Sequence, residues 1–241
     1  MRVLVLIWAL GVMTALPAAA QDRSFSFTLR GGVASAPDYP GSGGSEAGAD
    51  LGLSFGNAAR TVPENGVSLR GAFRVIGTRD AQDNPELAGL EGIDAAIELG
   101  LGVTFQQTNW LAFGELRKGV TGHSGVTGTL GADMIFRPSE RWLVTAGPRV
   151  NFGDDTFSDT YFGVPTGGPS SFAAFDAEGG VLGAGVEVSG TYFIDDKWAL
   201  EGGLSYEKLL GDASDSPITQ NGSEDQWRFR LGVSRTFNLN F

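Results

Sequence analysis

The sequence predicts an all-β fold, an antiparallel transmembrane β-barrel of about ten strands within a range of about 8–12. Three observations predict it. Long segments alternate strictly between apolar and polar residues. The connections between them sort into a short and a long class. After an apolar leader, no later stretch approaches the roughly 18 consecutive apolar residues of a membrane helix.

The leader is Met1–Ala20. It has one cation, Arg2, an apolar run from Val3 to Met13, then Pro17 and the small residues Ala18, Ala19 and Ala20. That is the three-part pattern of a secretory signal, with cleavage expected before Gln21, leaving residues 21–241 as one barrel domain. A retained anchor helix is the alternative, and the short apolar run argues against it.

The strands follow in order, each with an apolar face expected outward and a polar face inward. In Ser24–Val33, Phe25, Phe27, Leu29 and Val33 oppose Ser26, Thr28 and Arg30. In Ala47–Phe55, Leu51, Leu53 and Phe55 oppose Asp50 and Ser54. Val67, Leu69, Phe73 and Val75 oppose Arg70 and Arg74. The longest early run is Ile93–Phe105, where Ile93, Ala95, Ile97, Leu99, Leu101, Val103 and Phe105 oppose Asp94, Glu98 and Thr104. In Trp110–Lys118 the register is chosen to put Glu115 and Arg117 inside. Val126–Phe136 turns Thr127, Thr129 and Asp133 inward, followed by Arg137, and Trp142–Phe152 turns in Thr145, Arg149 and Asn151. Leu182–Tyr192 places Leu182, Ala184, Val186, Val188 and Tyr192 outward against Glu187, Ser189 and Thr191. Trp198–Tyr206 opposes Glu201, Ser205 and Glu207. The last sixteen residues, Gln226–Phe241, set Trp227, Phe229, Leu231, Val233, Phe237, Leu239 and Phe241 against Arg228, Arg230, Gly232, Ser234, Thr236, Asn238 and Asn240. Arg235 alone breaks that face, which points to a bulge or to snorkelling toward an interface.

Gln107–Asn109, Pro138–Arg141 and Asp195–Lys197 are tight turns. Ala34–Ser45, Thr78–Glu91, Lys118–Gly125, Gly153–Glu178 and Lys208–Asp225 are longer and alternate with them. Short turns on the periplasmic side and long loops outside are the asymmetry of bacterial barrels. Asn57–Gly66 is an exception, a longer connection on the short side. Tryptophans and phenylalanines fall near strand ends, as an interfacial girdle would. A lipocalin-like or sandwich protein would also alternate, but with shorter strands and less regular loops.

Composition agrees. The 241 residues hold 37 Gly, 16 Phe and no Cys, so no disulfide framework supports this exported chain. The formal net charge of −11 argues against nucleic acid as a partner. Opposed charges on the inner face, with Ser, Thr and Gly between them, read either as a small selective pore or as a salt-bridged plug; the narrowness of a ten-stranded barrel favours the plug. No cofactor or metal site is expected. His123, beside Ser124 in a loop, is the chain's one histidine, and nothing in the sequence supplies the oriented partner a hydrolytic base needs. Asp154-Asp155 and Asp212–Asp215 are read as solvated loop acids ahead of a weak calcium site. Gly41–Gly44 is read as a turn, lacking the lysine of a phosphate loop.

Three segments carry a more specific likeness. They are Pro37-Asp38-Tyr39-Pro40-Gly41-Ser42 after the first strand, Tyr161-Phe162-Gly163-Val164 in a long loop, and Leu209–Ile218 before the last strand. Together they resemble the MipA/OmpV family of outer-membrane proteins, and the aromatic last residue resembles the terminal strand of bacterial outer-membrane barrels. The resemblance implies an outer-membrane barrel and, in one branch, a non-enzymatic scaffold linking a murein-degrading lytic transglycosylase to a murein synthase. Other members have been viewed as porins or surface adhesins. It brings no catalytic residues. The expected setting is the outer membrane of a Gram-negative cell, with outer-membrane lipid as the surrounding partner. All three segments fall on the long-loop side, opposite the face where murein enzymes work. Either the orientation is inverted or the segments close the barrel mouth.

Overall fold

The computed structural model describes residues 24–55 and 65–240. The expected leader Met1–Ala20, most of the Asn57–Gly66 connection and the terminal Phe241 lie outside the described residues.

Ten strands form one antiparallel sheet: β1 (Ser24–Pro37), β2 (Ser45–Phe55), β3 (Gly66–Ile76), β4 (Ala96–Gln106), β5 (Trp110–Thr121), β6 (Val126–Ser139), β7 (Trp142–Gly153), β8 (Gly180–Phe193), β9 (Trp198–Leu209) and β10 (Asp225–Asn240). At 11–16 residues they have the reach of membrane strands. The sheet order is β2-β1-β10-β9-β8-β7-β6-β5-β4-β3. First and last strands therefore pair, from Ser24 opposite Asn240 to Ser35 opposite Phe229. The sheet curls as a half-barrel until β2 and β3 lie beside each other, with no hydrogen-bonded ladder between them among the described residues.

The solvent on each face explains the alternation. Outward side chains such as Leu69 at 74 % and Leu101 at 69 % have no protein neighbour to cover them, as lipid-facing residues should not. Inward residues such as Thr127, Thr129 and Asp133 are buried. Cross-strand aromatic pairs sit at the two rims. Phe27 with Phe237, Phe105 with Trp110 and Trp142 with Tyr192 mark the short-turn end, with ring centroids at 4.9, 5.5 and 5.1 Å. Tyr206 with Trp227, at 4.8 Å, marks the long-loop end. The turns are closed locally: Asp195 Oδ1 accepts from the backbone of Lys197 and Trp198, each at 2.8 Å.

Three expectations are corrected. The fourth strand begins at Ala96, so Asp94 is an exposed loop residue and not a lumen charge, and Ile93 is buried. Ile93 pairs instead with Arg79 in an isolated bridge under the loops. Leu182 faces inward: Asn151 opposes Gly183 while Phe152 opposes Val181, so Leu182 is the extra residue of a bulge that flips the end of β8. Arg137 is exposed at the short-turn rim, where it donates to the Thr108 carbonyl at 2.8 Å.

Inward glycines let neighbouring strands close in. A Cβ on Gly147 would stand 1.7 Å from the Ala132 carbonyl oxygen, whereas one on Gly190 would meet only the Trp142 ring at 3.9 Å. Gly147→Ala is therefore expected to abolish the heat-modifiable folded band on semi-native gels, while Gly190→Ala keeps it. Equal folding of the two would contradict this packing.

Candidate functional site

The long loops do not splay into solvent. They fold into a cap over one end of the sheet, and the cap is the candidate site.

Asp154 starts the first helix, α1 (Asp155–Phe162), by accepting from the Phe157 backbone N–H at 2.9 Å. Ser216 does the same for α3 (Pro217–Asn221), which follows the short α2 (Asp212–Asp215); its Oγ accepts from Ile218 N at 3.2 Å, with Pro217 preset for the first turn. The same hydroxyl donates to the Phe162 carbonyl at 2.6 Å and so ties two of the three family-like segments together. The third joins them at the Tyr39 turn. Gly41, at φ +91°, lies where a Cβ would strike Thr219 Oγ1 at 2.5 Å. Its carbonyl accepts from Ser223 N at 2.9 Å and its N–H donates to Gln226 Oε1 at 3.3 Å. Tyr39, Leu87, Val164 and Ile218 then share one apolar cluster. Phe157, Tyr161, Phe162, Ala213 and the inward Leu182 share a second.

Beneath α1 lies a charged node. Glu98, on β4, has 0 % exposure. Arg74 donates to both of its oxygens at 2.7 Å, Arg117 Nε donates at 3.1 Å and Thr127 Oγ1 at 3.1 Å. The Gly125 backbone N–H donates to His123 Nδ1 at 3.1 Å, so the neutral ring carries its proton on Nε2. That Nε2 lies 3.2 Å from Glu98 Oε1. The ring also meets Phe157 and Tyr161 edge-on, at 5.1 and 5.6 Å. His123 is thus the joint between strands and cap.

His123 is the residue weighed in the sequence as a hydrolytic base. The side chain of His123 is fully buried, with one nitrogen holding a backbone amide and the other facing Glu98. Asp155 and Asp212 accept backbone N–H groups from Gly179 and Glu178, both at 2.8 Å, so these acids brace loops. Among the described residues no three His, Asp or Glu side chains are grouped to hold a metal.

Sequence reasoning missed the cap helices and Arg79. Arg79 donates to the Tyr161 carbonyl at 2.8 Å and the Glu91 carbonyl at 3.3 Å. Burial pulls its pKa down, against Tyr161, Tyr39 and Glu91. Burial pushes Tyr161 up to about 12, so its hydroxyl stays neutral. The helix starts did leave signals in the sequence: Ser216-Pro217 is an N-cap followed by proline, and Asp154 stands before an apolar residue at the right spacing.

Below the node, the concave face is filled by alternating charges. Arg30 meets Asp50 and Glu201 at 3.0 and 3.5 Å, Arg149 meets Asp133 at 2.9 Å, and Arg230 meets Glu187 at 2.7 Å. Phe113 stands between the guanidinium groups of Arg70 and Arg149, at 4.4 and 4.9 Å. The cleft beside Arg228 and Arg230 is too narrow to admit a water molecule.

The match to known proteins fits this geometry. The family model for the MltA-interacting protein MipA matches residues 29–237. The chain belongs to the MipA family. Like that family's resemblance predicted, it is an outer-membrane β-barrel protein. No curated protein sequence matches it. Solved structures similar to it include the N-terminal β-barrel domain of Pseudomonas aeruginosa OprF, at 13 % identity and TM-score 0.36, over 72 % of this chain and 98 % of that one. Neisserial surface protein A is similar at 9 % identity and TM-score 0.33, over 90 % of this chain and 100 % of that one. Pseudomonas aeruginosa OprG is similar at 12 % identity and TM-score 0.30, over 88 % and 95 %.

Two outcomes are expected at the node. Glu98→Gln leaves Arg74 and Arg117 short of a counter-charge, and should cost about 3–5 kcal/mol, read from the urea midpoint of the folded band. Burial lowers the pKa of His123, against Glu98 and Asp154 and with the help of Arg74. The histidine is then harder to protonate folded than unfolded. Its contribution is fully present above the unfolded value, roughly 6.5, and is lost as pH falls toward the lower folded value. The urea midpoint should therefore drop between about pH 7.5 and 5.5, and drop less in His123→Asn, which has no titrating ring.

Proposed function

We propose that this protein is a non-enzymatic scaffold of the Gram-negative envelope. In this reading a leader of Met1–Ala20 is removed on export, and the mature barrel brings murein-remodelling enzymes to the membrane. The observation that carries it is the cap. The three family-like segments and the lone histidine are engaged with one another, and the buried His123 presents no reactive group to solvent. This supports a structural role for the family signature and removes the conflict between its exterior position and a periplasmic partner. Partners then meet the other end, the face of the tight turns, which points to the periplasm in bacterial barrels. The family's name, that of an MltA-interacting protein, and the resemblance to its scaffolding branch support a lytic transglycosylase and a murein synthase as those partners. The ionic fill of the concave face weighs against the pore reading, and the buried His123 against a surface hydrolase.

The test is binding of purified lytic transglycosylase and murein synthase to the refolded, immobilised protein. Both are expected to bind, together as well as singly. A double charge reversal on the β6–β7 turn, Glu140→Lys with Arg141→Glu, should weaken binding about tenfold without changing the folded band. Failure of both enzymes to bind the folded protein would remove the scaffold reading. Sensitivity only to changes in the cap would reverse the assignment of faces.

A further inference from the structure

Arg235 is the residue that broke the apolar face of the last strand, and neither the cap nor the proposed scaffold uses it. It lies in register between Trp198 of β9 and Leu29 of β1, and its parity is outward, toward lipid. The side chain is exposed. No bulge relieves it: the register with β1 runs unbroken through this point, and the register with β9 runs unbroken up to its last pair, Arg235 opposite Trp198. Its guanidinium carbon is instead 5.0 Å from the Trp198 ring centroid and 4.9 Å from that of Phe237. Phe237 in turn stacks on Phe27, nearly parallel. Two aromatic faces thus hold the guanidinium in place.

Ring faces stabilise the charge but do not take up its five N–H donors. Arg30, Arg74, Arg117, Arg149 and Arg230 turn inward onto carboxylates. Arg235 has no such acceptor among the described residues, and it cannot leave the outer surface. Its level on that surface is set by Trp198, the first residue after the Ile194–Lys197 turn, at the end where β1 begins and β10 finishes. Aromatic residues of membrane proteins sit at headgroup depth. The group that meets a planar, fixed guanidinium there is a phosphate, which takes two of its donors at once.

We propose that Arg235, clamped between Trp198 and Phe237, binds the phosphate of a glycerophospholipid in the leaflet at the short-turn end. The inference rests on the membrane-barrel assignment and is independent of the scaffold reading. Short turns face the periplasm, so the lipid is a phospholipid of the inner leaflet, and the clamp fixes the height of the barrel seam formed by β10 and β1.

The experiment is native mass spectrometry of the refolded full chain in detergent, titrated with phosphatidylglycerol or with diacylglycerol, which lacks the phosphate. Wild type should retain phosphatidylglycerol about fivefold better than Arg235→Gln, and diacylglycerol no better. Arg235→Lys, which keeps the charge without the planar fork, should fall between, and heat-modifiable migration verifies that each variant is folded. Equal retention by wild type and Arg235→Gln would overturn the proposal, as would displacement of the lipid by inorganic phosphate alone. Stronger and Arg235-dependent retention of lipid A would overturn the assignment to the phospholipid leaflet.

Discussion

The structure depends on how one carboxylate is buried. Glu98 sits inside the mouth of the sheet with no access to solvent, where an unpaired charge would cost several kcal/mol. It is held because β3 supplies Arg74, β5 supplies Arg117 and β6 supplies Thr127, so three strands must be in register for its charge to be met. The register is adjusted at the same point. Glu98 opposes Gly119 and Ile97 opposes Thr121, leaving Val120 as an extra residue before the His123 turn. A Cβ on Gly119 would lie 2.3 Å from the His123 carbonyl oxygen, so the turn folds back only over a glycine. Strand pairing, lumen charge and loop conformation are solved together there.

The cap follows from the node. Phe157 and Tyr161 lie against the edge of His123, and Arg79 reaches the end of α1 through the Tyr161 carbonyl. From α1 the Ser216 hydroxyl and the Gly41 turn bring in the remaining loops. The cap has its own apolar clusters, which is unusual work for loops that in a soluble protein would run over the surface. Near the edges where β2 and β3 lie side by side, the Asp38 carbonyl lies where a Cβ on Gly77 would come within 2.9 Å, so the turn after β1 touches the end of β3 where the sheet lacks a ladder among the described residues.

Much of this was legible in the sequence, for a physical reason. Two solvents act on each strand, and a period of two records them directly; about ten strands and most of their inward and outward faces followed from it, with the charges Glu115 and Arg117 deciding the register of Trp110–Lys118. The charges on the inner face were legible as residues but not as partners, because pairing Arg30 with Glu201 or Arg230 with Glu187 depends on curvature that skips a strand. Leu182 and Ile93 were misassigned because apolar residues fit the lipid face and a buried loop core equally well. A bulge in one case and a late strand start in the other decided between them. Arg235 was legible only as an exception. Its explanation needed the neighbours that register supplies, Trp198 beside it and Phe237 two residues on.

The central claim is that the cap and the ionic fill close this barrel, leaving a protein that presents surfaces and does not conduct. Planar-bilayer recording of the refolded chain tests it most directly. The account predicts a silent membrane under voltage, from a sample whose folded state is verified on the same gel. Steady, reproducible conductance steps from that sample would contradict it, and would make the rows of opposed charge the lining of a pore.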